Sequence, residues 1–161
     1  MTAHPPQPLS SFVEGLGLVF ERWGFPRTAG RIWGWLLICD PPHQNSDQLA
    51  EAVHVSKASI STNTRLLENV GLLERVGVRG SRLIHYQVAP DAFRSILTQR
   101  LAGARELRTL AERGLGVLEA EDPERASRLR RMRDFYDFVE EEMGRIVRDW
   151  EKRRQEGAPR G

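Results

Sequence analysis

The sequence predicts a mainly α fold with one small β-hairpin, and three observations carry that prediction. Apolar residues recur at helical spacing over most of the chain. Two short β-prone runs, Leu72–Val76 and Leu83–Val88, flank the turn-forming stretch Gly77-Val78-Arg79-Gly80-Ser81. Ahead of them, Ser46 and Ser56 are placed to cap two short helices that lead into the hairpin. Together they describe a winged helix-turn-helix flanked by N- and C-terminal dimerisation helices.

Composition narrows the class without deciding it. Of 161 residues, 40% are hydrophobic and 29% charged, which suits a folded domain rather than a disordered chain. The net charge is only +2, so any affinity for nucleic acid must come from where the charge sits. One cysteine, Cys39, leaves no intramolecular disulfide. No apolar run approaches the roughly 18 residues of a membrane span, and the Pro-rich start lacks the order of a signal peptide. The expected location is the cytoplasm, with no membrane partner.

The elements follow in order. Residues 1–9 read as a disordered lead-in. A first, dimerisation helix over residues 10–24 carries Phe12, Val13, Leu16, Val19, Phe20 and Trp23, in a helical pattern that begins with Leu9, with Ser11 and Glu14 as a capping box. Gly15 and Gly17 weaken it but admit a close neighbour. Pro26 is expected as the first residue of a second helix, Arg27–Ile38, apolar on most sides and hence central. Ser46 is expected to cap a third helix, Asp47–Val53, and Ser56 a fourth, Lys57–Asn69. Gly71 ends the fourth in a left-handed conformation. In the hairpin, Ile84, Tyr86 and Val88 are expected on the buried face. The DNA-binding domain so defined covers residues 25–90.

Residues 91–154 form a C-terminal helical dimerisation region, with a stripe from Phe93 to Leu118 and a break at Asp122-Pro123. The last helix carries Leu129, Met132, Tyr136, Val139, Met143, Ile146 and Trp150 at spacings of 3 and 4, a heptad seam that fits a second copy of the chain. Residues 155–161 read as a loose tail.

The helix-turn-helix carries the chemistry. Ala50 lets the fourth helix approach, Ile60 fills the space between the two helices, and His54 occupies a turn position that wants a positive φ. With Ile60 inward, Thr64 and Leu67 also point inward, while Ser59, Ser61, Thr62 and Arg65 point outward or sideways. No acidic residue occurs from Ala52 to Leu67 or from Arg75 to Pro90. Ser56 and Lys57 are expected to hold phosphates, and Ser59, Ser61, Thr62 and Arg65 to face base edges. Arg79 and Arg82 on the wing are expected to reach the minor groove or its phosphates.

At this point the residues resemble a known family. Phe25-Pro26-Arg27 with Ala29-Gly30-Arg31-Ile32, then "SDQLAEAVHVSKASIS" and "LLENVGLLERV", look like the GbsR-like branch of the MarR superfamily of transcriptional regulators. The resemblance covers roughly residues 10 to 95. It implies a homodimer joined through its N- and C-terminal helices, with Lys57–Asn69 as recognition helix. His54 and Ala58 depart from the usual Asn or Gly. A homodimer implies a palindromic double-stranded operator. The expected function is a sequence-specific regulator, a repressor.

Some relatives of the family it resembles respond to small quaternary ammonium compounds, so the resemblance implies an effector of this kind, and such ligands need aromatic faces. Trp23, Phe25, Trp33 and Trp35 are the candidates for an effector site, although aromatics at helical spacing also make cores. Cys39 reads as core, with redox sensing as the lesser alternative. The four histidines show no metal-ligand spacing, and no nucleophile–base motif is present, so neither cofactor nor catalysis is expected. The competing reading is a winged helix that binds protein rather than DNA. An apolar or acidic outer face on the fourth helix would favour it.

Overall fold

The computed structural model describes residues 7–119 and 122–157. It divides into two compact units, one ending at Ser95 and one starting at Ile96.

In the first unit, α1 (Gln7–Arg22) packs on α2 (Arg27–Leu36). Their contact is close because glycines line it. A Cβ on Gly30 would stand 2.5 Å from the Leu16 carbonyl oxygen and 2.8 Å from Phe20 Cβ. Gly17 meets Arg27 and Arg31 in the same way, whereas Gly15 faces open space. Glu14 ties the two helices, 2.9 Å from Arg27 and 2.6 Å from Arg31. The capping box expected at Ser11 and Glu14 is therefore absent: α1 starts at Gln7, which puts Ser11 inside the helix, and Glu14 serves α2. The rest of the expected lead-in lies outside the described residues.

Pro26 precedes α2 rather than opening it, and its carbonyl accepts from Ala29 at 3.0 Å. The helix stops at Leu36, two residues short of expectation. Seven of its residues are buried, and it packs on α1, α4 (Lys57–Asn69) and β3 (His85–Val88).

A two-residue strand, β1 (Gln44–Asn45), precedes α3 (Ser46–Ala52). With β2 (Leu73–Val76) it flanks β3 in an antiparallel sheet of order β1-β3-β2. Gln44 pairs with Tyr86 and Leu73 with Val88. The wing is thus a three-stranded sheet rather than a lone hairpin. Because β3 is central, its burial departs from simple alternation. His85 and Tyr86 are both buried while Ile84 is 50% exposed, which corrects the expected inner face. The His85 ring stands edge-on to His43, centroids 5.4 Å apart, and its Nδ1 lies 3.1 Å from the Leu83 carbonyl oxygen.

The second unit contains most of α5 (Ala92–Leu118) and α6 (Pro123–Gly157). Asp122 accepts from the Arg125 backbone N–H at 3.0 Å and so caps α6, with Pro123 as its first residue. The helix continues through Gly157, where a loose tail was expected. Ion pairs run antiparallel between the two helices: Arg130–Glu119 at 3.1 Å, Arg108–Glu140 at 3.1 Å and Arg105–Glu140 at 2.7 Å. The Arg105 hydrogen bond, foremost, holds the Glu140 carboxyl below its ordinary range. Ala104, Ala111, Leu115 and Ala126 are buried.

The heptad seam divides. Leu129 lies over Gly114 within the same chain. The uncovered apolar residues are Phe135, Phe138, Ile146 and Trp150, with Leu110 and Val117 on α5. Among the described residues no helix is long and apolar enough to cross a membrane.

Candidate nucleic-acid interface

The site is built on α3 and α4. The cap of α3 is Asn45, not Ser46. Asn45 Oδ1 accepts from the Asp47 and Gln48 N–H groups at 3.0 Å each, and Gln48 Oε1 accepts from the Asn45 N–H at 2.9 Å. Both Asn45 and Ser46 are competent caps. Gln48 decides between them by closing the reciprocal box on Asn45. The turn that follows places His54 at φ 52°, in the left-handed region, as its sequence position demands. Leu49, Val53, Ile60, Thr64 and Leu67 fill the space beneath, all at 1% exposure or less.

The α4 helix begins where the sequence predicts. Ser56 Oγ accepts from the Ser59 N–H at 3.2 Å. Gly71, at φ 70°, ends the helix region, and a side chain there would also meet Ser95 Oγ at 2.8 Å. Fixed at both ends and anchored by Ile60, the helix presents one face outward. Ser56, Lys57, Ser61, Thr62 and Arg65 are exposed on it and Ser59 is half-buried. Capping by a hydroxyl leaves the first backbone N–H groups of α4 available to an anion.

The wing loop, residues 77–84, carries Arg79 and Arg82, both exposed. It is shaped by Gly80 at φ 84° and by a bond from the Leu83 N–H to Ser81 Oγ at 3.1 Å. Of the basic residues near this face, two are engaged. Arg75 forms a two-pronged pair with Glu68, at 2.6 and 3.1 Å. Lys57 Nζ stands 2.7 Å from Asp47 Oδ1. Among the described residues Arg65, Arg79 and Arg82 make no ion pair.

Two roles in this region are not read from the sequence. Asp47 is the partner of Lys57. Asn63 is buried and donates through Nδ2 to the Ser59 carbonyl at 2.8 Å, with Ser59 Oγ at 3.4 Å. Its position three residues after Ile60 puts it on the inner side of the helix, a signal that periodicity alone contains.

The four aromatic candidates separate. Trp23, Phe25 and Trp33 gather around Phe20, with centroids 5.9, 5.7 and 5.5 Å away. Trp33 is buried there, edge-on to Phe93 at 5.9 Å. Trp35 lies elsewhere. It lines a small cleft of about 80 Å³ with Ser10, Val13, Glu14, Arg31, Ala52 and His54. Cys39 is half-buried and donates to the Pro41 carbonyl at 3.2 Å, and burial pushes its thiol up to about 11.

Comparison with known proteins agrees with this architecture. The family described as MmpR5-like MarR family transcriptional regulators matches residues 91–154. The HTH-type transcriptional regulator MmpR5 of Mycobacterium tuberculosis is 42% identical over 132 residues, spanning 82% of this chain and 80% of that protein. The crystal structure of a transcriptional regulator superposes with a TM-score of 0.77 at 38% identity, over 90% of this chain and 99% of the other.

Proposed function

Because the chain belongs to the MarR family of transcriptional regulators, we propose that it reads a palindromic operator as a homodimer, with α4 in the major groove and the wing alongside. The observation that carries this reading is the outer face of α4. It is capped, exposed, polar and basic, without an acidic residue from Ala52 to Leu67. Such a face suits phosphates and base edges, and it does not suit an apolar or acidic protein partner.

In this reading Ser56 and Lys57 hold phosphates. Ser59, Ser61, Thr62 and Arg65 meet base edges, and Arg79 and Arg82 reach the flanking backbone or minor groove. A second copy covers the apolar residues that α1 and α6 expose, Leu9, Phe12, Phe135, Phe138, Ile146 and Trp150. The two-fold axis then sets two recognition helices about one DNA turn apart. The protein acts in the cytoplasm as a repressor, and an effector meets Trp23 and Phe25, the members of the aromatic set that reach solvent. Within the family, Phe25-Pro26-Arg27 and Ala29–Ile32 support kinship with the GbsR-like branch.

Gel shifts against the promoter of its own gene test this reading. Specific binding weakens steeply as salt rises. Arg65→Ala relaxes base preference at one position, at a cost of about 1–3 kcal/mol, whereas Lys57→Ala weakens all sequences alike. If neither substitution alters DNA affinity, α4 is not the recognition helix. Thermal-shift measurements with choline-type ligands test the effector, and no stabilisation by any of them contradicts it.

A further inference from the structure

We propose that Thr62 reads DNA as a hydrogen-bond acceptor, selecting a base that carries an exocyclic amino group in the major groove, cytosine or adenine. The inference rests on α4 being the recognition helix. A threonine hydroxyl has one proton to donate and lone pairs to accept with. Thr62 Oγ1 lies 3.1 Å from the Ala58 carbonyl oxygen one turn back. A carbonyl only accepts, so the proton of Thr62 is directed into its own helix. The side chain is exposed, so what it turns toward solvent is lone pairs.

Ser59 keeps its proton free. The group at 3.4 Å from its Oγ is the Asn63 amide nitrogen, which only donates. One lone pair of Ser59 therefore faces Asn63, and its proton and second lone pair stay open to an outside partner. Arg65, three residues beyond Thr62, can only donate. The outer face of α4 thus presents a two-way hydroxyl at Ser59, an acceptor at Thr62 and a donor at Arg65. In the major groove, guanine and thymine offer acceptors, whereas cytosine N4 and adenine N6 offer donors. Arg65 fits only the former, Ser59 fits either, and Thr62 fits only the latter. Turning its proton outward to read a guanine or thymine would forfeit the bond to Ala58.

Selection from a randomised duplex pool with the full chain tests this. The wild type should prefer cytosine or adenine at one position per half-site, by about fivefold, the worth of one net hydrogen bond. Thr62→Val keeps the shape, lacks the acceptor, and should lose that preference while the Arg65-dependent position stays. Thr62→Ser should keep it. The base that emerges distinguishes the two amino groups, and deleting that amino group from the duplex should weaken the wild type but not Thr62→Val. The proposal is overturned if Thr62→Val retains every wild-type preference, or if the Thr62-dependent position selects guanine or thymine. If the wild type enriches no sequence at all, the recognition-helix reading itself falls and this inference with it.

Discussion

Lys57 Nζ lies 2.7 Å from Asp47 Oδ1, so the cation at the start of α4 is held by a carboxylate from the start of α3. Both side chains are open to water, at 72% and 61% exposure, and such a pair is worth little. Phosphate can replace the carboxylate at small cost. If Lys57 holds a phosphate as proposed, Asp47 competes with DNA for it and also repels the phosphates. Asp47→Asn should tighten DNA binding by about two- to fivefold at low salt, and the gain should fade as salt rises. Fluorescence anisotropy with a labelled duplex measures both. Weaker binding by Asp47→Asn would mean that the carboxylate positions Lys57 for DNA.

The α1–α2 contact depends on having no side chain at position 30. A methyl there would stand 2.5 Å from the Leu16 carbonyl oxygen, and backbone cannot swing aside as a side-chain tip can. Gly30→Ala should cost roughly 1–3 kcal/mol in denaturant unfolding, despite the better helix propensity of alanine. Wild-type stability in this variant would show that the helices separate without penalty.

Phe138 is 61% exposed on α6, beside the equally uncovered Phe135. If a second copy covers them, Phe138→Glu buries a charge in the interface. The variant should sediment as a monomer at concentrations where the wild type is a dimer, and its operator affinity should fall at least tenfold as the second half-site is lost. A dimeric Phe138→Glu would place the interface elsewhere.

Legibility in the sequence varied with how local the determining contacts are. Both limits of α4 follow from Ser56, from Ile60 and from Gly71, each acting within one or two turns, and they fall where expected. β1 leaves no alternation to read, because a two-residue strand exists only through its pairing with Tyr86 and His85. The inner face of β3 departs from the expected one for the same reason, since a central strand is covered by neighbours that its own pattern does not encode. The seam of α6 shows its period but not its partners. Leu129 finds Gly114 in the same chain, while Phe138 stays 61% exposed. The polarity of Thr62 is not written in the sequence, because it depends on which neighbour its hydroxyl meets.

Cys39 bears on regulation by oxidants. Burial pushes its thiol up to about 11, so little thiolate exists near neutrality. Alkylation of the native chain at pH 8 should run roughly tenfold or more slower than in the unfolded chain and accelerate as pH rises toward 11. Cys39→Ser should leave any peroxide response of DNA binding unchanged. Rapid labelling at neutral pH would contradict this assignment.

The claim on which the rest depends is that the outer face of α4 and the wing loop touch DNA. Hydrogen exchange, followed by mass spectrometry with and without a duplex from the protein's own promoter, measures it directly. Exchange should slow over the first turn of α4, from Lys57, and over the wing loop, residues 77–84. Unchanged exchange in both segments, with protection confined to other parts of the chain, would contradict it.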